Sequence, residues 1–299
     1  MKSEFKGIVS VLASALLFYL ATFFVKLGLE NSPHHSPADT VVYLAARFWI
    51  GYFFMELWFP LFRTKGKTRA SKMPVVNRRW LWLRAFWNLV AVMFFYLGVI
   101  YGNVTAANIL NMTYPVFVAL LSVYFLNEKP GIITWVGVLF SVAGAIFVSI
   151  NVGASSWKIS TGDIFSLLSA VTAGIAIVAL RIIRLTDTTE AALFYNFRLG
   201  FWGTLVPVIY FIIHRNIENY SGGWVYPLLS GITGILGQAA LTYGFKFVTA
   251  VQGSILSAAR LVFAVVIGWI FFQTEITVYS ISGALFILLA NIILSFKRK

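Results

Sequence analysis

The chain has 299 residues, of which 60% are hydrophobic and 11% charged, against roughly 25% charged and 45 to 50% apolar residues in a soluble domain, which excludes a soluble protein. At about 20 apolar residues per crossing, the length holds about ten membrane spans with short connections and no extramembrane domain. Lys and Arg total 23 against 10 Asp and Glu; with no soluble domain to present a basic face, this excess points to charge asymmetry across a bilayer, and nucleic acid is not expected as a partner.

Ten apolar stretches are read in chain order. Spans 1 to 5 run over 7–29, 41–62, 80–101, 104–126 and 131–150, and spans 6 to 10 over 163–183, 191–213, 224–245, 250–272 and 278–296. Each is long enough to cross; the divisions at Gly102 and Asn103, and at Lys246 to Thr249, cut long apolar runs to bilayer length. Span 1 follows Lys2 and Lys6 but is long for a signal-peptide core, and no clear small-residue cleavage site follows it, so it is expected to remain in the protein. The connection between spans 2 and 3 carries Arg63, Lys65, Lys67, Arg69, Lys72, Arg78 and Arg79, and the C-terminus ends in Lys297, Arg298 and Lys299. With ten spans these lie on one side with Lys2 and Lys6, while the other side holds Glu30, His34, His35, Asp39, Lys158, Arg215, Glu218 and Glu275. Because Lys and Arg gather in the cytoplasm, both termini are expected there, in a bacterial inner (plasma) membrane.

The two halves of the chain match. Residues 7–15 (GIVSVLASA) resemble 162–170 (GDIFSLLSA), a register that also pairs Lys26 with Arg181; Arg47 pairs with Arg198, Val104 with Val251, Gly137 with a position one step from Gly283, and Glu128 with Glu275. An odd number of spans per half makes the second half run through the bilayer in the opposite sense. The expected fold is therefore an all-α integral membrane domain of ten transmembrane helices, built as two inverted five-helix repeats over 1–152 and 153–299. The substrate site is expected near the midplane at the repeat interface.

Several features together resemble the EamA family of the drug/metabolite transporter superfamily. They are the ten short spans in two halves, the acid just after each fourth helix, Tyr114-Pro115-Val116-Phe117 followed by Asn127-Glu128-Lys129 in a helix opening with Ala106 and Ala107, and Arg84 near the start of span 3. The resemblance covers essentially the whole chain. It implies a basket of helices around a central cavity lined mainly by spans 1, 3, 4, 6, 8 and 9, with spans 5 and 10 outside. The second half departs from the pattern at Val262, where Pro115 has no counterpart, and at Arg260, whose counterpart is Thr113.

An ionisable residue at membrane depth is costly and is functional by default. Arg260 lies near the middle of span 9, too deep for easy snorkelling, and shares a helical face with Gln252, Gly253 and Ser257. That face is expected to line a wet cavity, where the guanidinium holds a substrate carboxylate or phosphate through paired hydrogen bonds; an interhelical cap is the competing reading. Arg47, Arg84 and Arg198 sit about one to two turns inside their spans and are expected to snorkel or lock helix ends, and Lys26 and Arg181 to anchor at interfaces. Span 4 carries Thr105, Asn108, Asn111 and Pro115 at helical intervals, and Asn88 in span 3 and Gln238 in span 8 are placed to meet it. Amides bond amines and carboxylates alike and also tie helices together, so both roles stay open. Tyr19, Trp87, Tyr96 and Tyr243 supply either cavity walls or core and interfacial belts. Pro115 removes a helical hydrogen bond and bends span 4, as a hinge or as a static kink. Glu128 and Glu275 are expected to cap helices or bond loops at span ends. Small residues at four-residue spacing, Gly137, Ser141 and Ala145 in span 5 and Ser166, Ala170 and Gly174 in span 6, read as packing seams.

No carboxylate stands at mid-depth: Glu56 lies toward the cytoplasmic end of span 2 and Asp163 starts span 6. This disfavours lipophilic cations and favours anionic or zwitterionic solutes. Cysteine is absent, which removes thiol nucleophiles and Cys-bound metals; His34, His35 and His214 are too sparse for a metal site, and no P-loop pattern occurs. No cofactor and no metal are expected. The reading is a secondary carrier, monomer or homodimer, that moves an amino acid or other carboxylate-bearing small molecule by alternating access. Arg260, Asn111, Asn88, Gln238, Gln252 and Ser257 would give polar recognition and Tyr19 and Trp87 apolar contact. A broad-specificity exporter of toxic compounds is the alternative, and a channel or membrane-embedded enzyme a remote one.

Overall fold

Where no water is available to the backbone, a single apolar segment satisfies its own N–H and C=O groups by becoming a helix. The computed structural model describes residues 2–30, 37–58, 75–102, 104–128, 130–150, 160–214, 223–272 and 278–295, and every regular element among them is helical. In chain order these are α1 (Lys2–Glu30), α2 (Pro37–Phe53), which continues into a π turn over Phe54–Trp58, α3 (Arg78–Ile100), α4 (Val104–Asn111), α5 (Tyr114–Phe125) and α6 (Ile132–Ile150). There follow α7 (Thr161–Thr186), α8 (Thr189–Ile213), α9 (Val225–Gly244), α10 (Ala250–Ser257), α11 (Ala259–Phe272) and α12 (Val278–Ser295). Asn103, Lys129, Lys158, Arg215, Glu218, Glu275, His34, His35, the basic residues from Arg63 to Lys72 and the C-terminal Lys297 to Lys299 lie outside the described residues, as does the Thr105 side chain.

Seven stretches among the described residues are long and apolar enough to cross a membrane, namely 3–30, 39–57, 78–100, 161–186, 189–213, 225–244 and 250–271. Shorter apolar segments lie over 114–125, 132–144 and 281–290. Helix starts follow local chemistry. Ser160 and Asp163 form a reciprocal capping box at the head of α7, and Thr188 and Thr249 cap α8 and α10 through their hydroxyls, each satisfying backbone donors that the first turn leaves open.

The expected spans 4 and 9 are each interrupted. Pro115 has no N–H, and its ring excludes the Asn111 carbonyl from a continuous helix, so α4 stops at Asn111 and α5 restarts with the proline in its first turn, where its missing donor costs nothing. Pro115 is therefore a helix starter, not a bend inside one helix. Across the gap Thr113 N donates to Leu110 O and Val116 N to Thr113 O, both at 3.1 Å. The junction between α10 and α11 repeats this pattern without a proline: Ala258 N donates to Ile255 O at 2.9 Å and Leu261 N to Ala258 O at 3.0 Å. Here the Ser254 and Ser257 hydroxyls bond back to Val251 O and Gly253 O, a competition that bends helices.

Four pairings organise the bundle: α3 lies along α7, α1 along α9, α6 along α12, and α2 against α8. Glycine permits the closest of these contacts. A Cβ on Gly98 would stand 3.1 Å from Gly162 O in the α3–α7 pair, and one on Gly244 would stand 3.0 Å from Gly7 O in the α1–α9 pair. Of the small residues of span 5 and span 6, Gly137, Ser141, Ser166, Ala170 and Gly174 are buried, and the Ala145 side chain lies outside the described residues; beside them a Cβ on Gly144 would meet Gly283 O at 2.7 Å and Ser166 faces Gly98. At one end of the bundle the Asp187 carboxylate accepts from Val76 N at 2.7 Å and Asn77 N at 3.1 Å, fixing the start of α3 to the turn between α7 and α8.

Candidate functional site

A cavity of about 110 Å³ opens among α1, α2, α3, α7, α9 and the two helix breaks. No described residue of α6 or α12 reaches it, which accords with the basket in which spans 5 and 10 pack outside, and Arg47 adds span 2 to the expected lining. Three guanidiniums share it, those of Arg47, Arg84 and Arg260, whose residues are 8%, 2% and 9% exposed. Among the described residues no carboxylate lines it.

The guanidiniums are held in different ways. Arg260 Nη2 donates to Asn111 Oδ1 at 2.8 Å and lies over the Phe95 ring at 5.5 Å. Arg47 Nη2 donates to Gln238 Oε1 at 3.3 Å, lies over the Phe18 ring at 5.2 Å, and runs its stem past Gly234. The amides are oriented in turn. Asn111 Nδ2 donates to Ser169 Oγ and Ser169 Oγ to Ala91 O, both at 2.8 Å, while Gln238 Nε2 donates to Thr242 Oγ1 at 3.3 Å. Both aromatic faces therefore carry a cation, a favourable placement for the ring quadrupole. Several buried donors face no acceptor: Arg47 Nε, Arg84 Nη1, Arg260 Nε and Asn88 Nδ2. Every one of these is an N–H group, so the cavity is built to receive acceptors and negative charge.

Comparison with known proteins follows the same line. The EamA-like transporter family matches residues 5–150 and again residues 160–296. The chain belongs to this family. Among its curated relatives, the pseudopaline exporter CntI of Pseudomonas aeruginosa, in strains UCBPP-PA14 and PAO1, is 30% identical over 216 residues, covering 71% of this chain and 72% of the relative. A solved crystal structure superimposes with a TM-score of 0.71 over 96% of this chain and 95% of its own at 13% identity, which shows a shared fold.

In this EamA-like transporter the structure brings Arg260, Asn111, Asn88, Gln238 and Ser257 to one cavity. Gln252 is buried on the same helix pair as Ser257 but does not line the cavity, and neither do Tyr19, Trp87 and Pro115. Tyr19 packs against Phe23, with ring centroids 6.5 Å apart, and Trp87 against Phe86, with centroids 5.4 Å apart. The aromatic wall is made instead by Phe18, Phe95, Tyr96 and Tyr114, while Tyr243 is exposed. Arg47 and Arg84 depart from the snorkelling expectation, because the helix face they occupy turns inward whatever their depth; Arg198 stays half-buried over the Phe194 ring at 5.7 Å. The inward signal was present in α3, where Arg84, Asn88, Ala91, Val92, Phe95 and Tyr96 recur at helical spacing and all line the cavity. Glu128 takes the structural place expected of it: Oε2 accepts from Ala250 N at 3.0 Å, capping α10, and Oε1 pairs with Arg181 Nε at 3.3 Å.

Proposed function

We propose that this integral membrane transporter is a secondary carrier for a small solute bearing a carboxylate, an amino acid or organic acid, and that Arg260 is its anchor. The observation that carries the reading is the buried Arg260 guanidinium in a cavity with no carboxylate among its described lining residues, with its Nε still unpartnered. An uncompensated charge at depth is expensive, and a carboxylate that accepts two parallel N–H bonds offsets that cost while fixing its own orientation. Asn111, Asn88 and Gln238 complete the polar recognition, and Phe18, Phe95 and Tyr96 bound the rest of the solute.

The carrier works by alternating access in two inverted five-helix repeats, 1–152 and 153–299, with ten spans and both termini in the cytoplasm. Three observations support this architecture: the family matches the two halves separately, the pairings of helices are interchanged when the halves are exchanged, and the breaks before α5 and α11 share one hydrogen-bond pattern. Discontinuous helices at a repeat interface are where such carriers place their substrates. Export is the direction supported by the activity of the relatives.

The test is counterflow in proteoliposomes loaded with amino acids and organic acids, comparing wild type with Arg260→Ala and Arg260→Lys. Saturable exchange of a carboxylate, reduced about 100-fold or more in Arg260→Ala and partly kept in Arg260→Lys, is the expected result. Exchange confined to neutral or cationic solutes and indifferent to Arg260→Ala would make Arg260 structural and leave a broad-specificity exporter.

A further inference from the structure

The carboxylate reading, on which this inference rests, uses one of three guanidiniums. We propose that the cavity takes a solute with at least two carboxylates, and that Arg84 receives the second. Arg47, Arg84 and Arg260 bring three positive charges to one cavity whose described lining residues include no acid. A solute with a single carboxylate would leave two of those charges uncompensated inside the bundle, where like charges repel under weak screening.

The three are not equivalent in the empty cavity. Arg47 and Arg260 each spend a donor on an amide of the opposite half, Gln238 and Asn111 respectively, and each lies over an aromatic ring. Arg84 has neither: it is 2% exposed, its Nη1 has no hydrogen-bond partner among the described residues, and the nearby Asn88 Nδ2 on the same face is also unpartnered. Arginine presents five donors and no acceptor, and the unpartnered atoms of Arg84 and Asn88 are both N–H groups, so what this point lacks is an acceptor, which a solute would bring. One turn separates Arg84 from Asn88 on α3, so a carboxylate at this point would accept from both.

Placement distinguishes two separate acid groups from one compact dianion. Arg84 stands on α3 in the first half, and Arg260 follows the break in the second half. A two-ended solute with one carboxylate at each would bridge the two halves, taking over by its own bond the cross-half link that Arg260 makes to Asn111. A single phosphate would have to draw all three guanidiniums to one point, at the expense of the two amide bonds and two ring contacts that hold Arg47 and Arg260.

The experiment titrates purified wild-type protein with a five-carbon series of equal length, glutarate, its half-amide glutaramate and the diamide glutaramide, with tricarballylate and inorganic phosphate alongside. Binding is read by tryptophan fluorescence and thermal shift, and counterflow is run on the same probes. Glutarate or tricarballylate is expected to bind about tenfold or more tighter than glutaramate. Arg84→Gln is expected to shrink that ratio at least about fivefold, and Arg84→Lys to restore part of it. Equal affinity for glutarate and glutaramate, with counterflow of single-acid solutes intact, would overturn this inference and leave the carboxylate carrier standing. Phosphate binding tighter than every carboxylate would also overturn it, and binding of no acid at all would overturn both readings. The wild-type ratio decides the matter even where an Arg84 variant fails to fold.

Discussion

A guanidinium buried in a membrane protein is neutralised only by what faces it, and Arg84 Nη1 has no hydrogen-bond partner among the described residues. Removing such a charge relieves the empty protein, since replacing an uncompensated buried ion by an apolar side chain of similar length is often stabilising. Arg84→Met is therefore expected to raise the unfolding free energy of the solute-free transporter by about 1 to 3 kcal/mol while lowering carboxylate affinity, a stability gained at the cost of function. Thermal unfolding in detergent, read beside counterflow, checks both; a variant less stable than wild type would show that Arg84 is held by the fold. Asn111→Asp places a carboxylate where Arg260 already donates and supplies internally what the solute is proposed to bring. Carboxylate binding is expected to weaken about tenfold or more, and titration of the variant against wild type measures it; unchanged affinity would separate Arg260 from solute binding. Arg260 was legible in the sequence because mid-span depth forbids snorkelling. Arg47 was not, since depth along a span says nothing of which face it turns; Arg84 was legible only through its helical spacing with Asn88, the polar pair that marks the inward face of α3. Tyr19 and Trp87 were expected at the substrate and are not among the lining residues of this cavity; with aromatics at 17% of the chain, a single ring carries no direction.

Helices broken at the cavity offer backbone groups and side chains that a continuous helix would turn elsewhere. Asn111 and Met112 line the cavity before the first break and Tyr114 just after it, while Ser257 and Arg260 flank the second. The first break was half legible: Pro115 announced a disturbance, but its place in the first turn of α5 depends on Thr113 and Val116 closing tight turns across the gap. The second was not legible, because serine back-bonding inside an apolar run competes with the helix only where tertiary packing allows it. Since a proline in the first turn costs little where it stands, Pro115→Ala removes the obstacle to a continuous span and changes stability by less than about 1 kcal/mol. Its expected effect is on function, a several-fold loss of counterflow as Asn111 rotates away from Arg260. Amide hydrogen exchange at residues 111 to 116 provides the structural readout: increased protection in Pro115→Ala with full counterflow would mean that the break does no work in transport.

Exchange of the two halves carries the α3–α7 pair onto the α1–α9 pair and returns α2–α8 and α6–α12 to themselves, so the bundle has two comparable seams of glycine contact, at Gly98 with Gly162 and at Gly244 with Gly7. Alternating access needs one end of such a bundle to part while the other closes. One end holds a tie across several elements. Arg181, near the end of α7, pairs with Glu128 after α5 and donates to Phe245 O at 2.9 Å and Lys246 O at 3.2 Å after α9, while Glu128 caps α10. This is the end at which Asp187 holds the backbone before Arg78, the proposed cytoplasmic face. If that tie must open once per cycle, a covalent link in its place stops the cycle. Because the chain contains no cysteine, the double variant Glu128→Cys with Arg181→Cys can be closed by a short bis-thiosulfonate reagent without background reaction. Its counterflow before cross-linking is the reference, which removes the effect of losing the ion pair itself. Cross-linking is expected to abolish counterflow, reduction to restore it, and neither single-cysteine variant to respond; quantitatively cross-linked protein that still exchanges solute at the reference rate would mean that this end stays shut throughout transport.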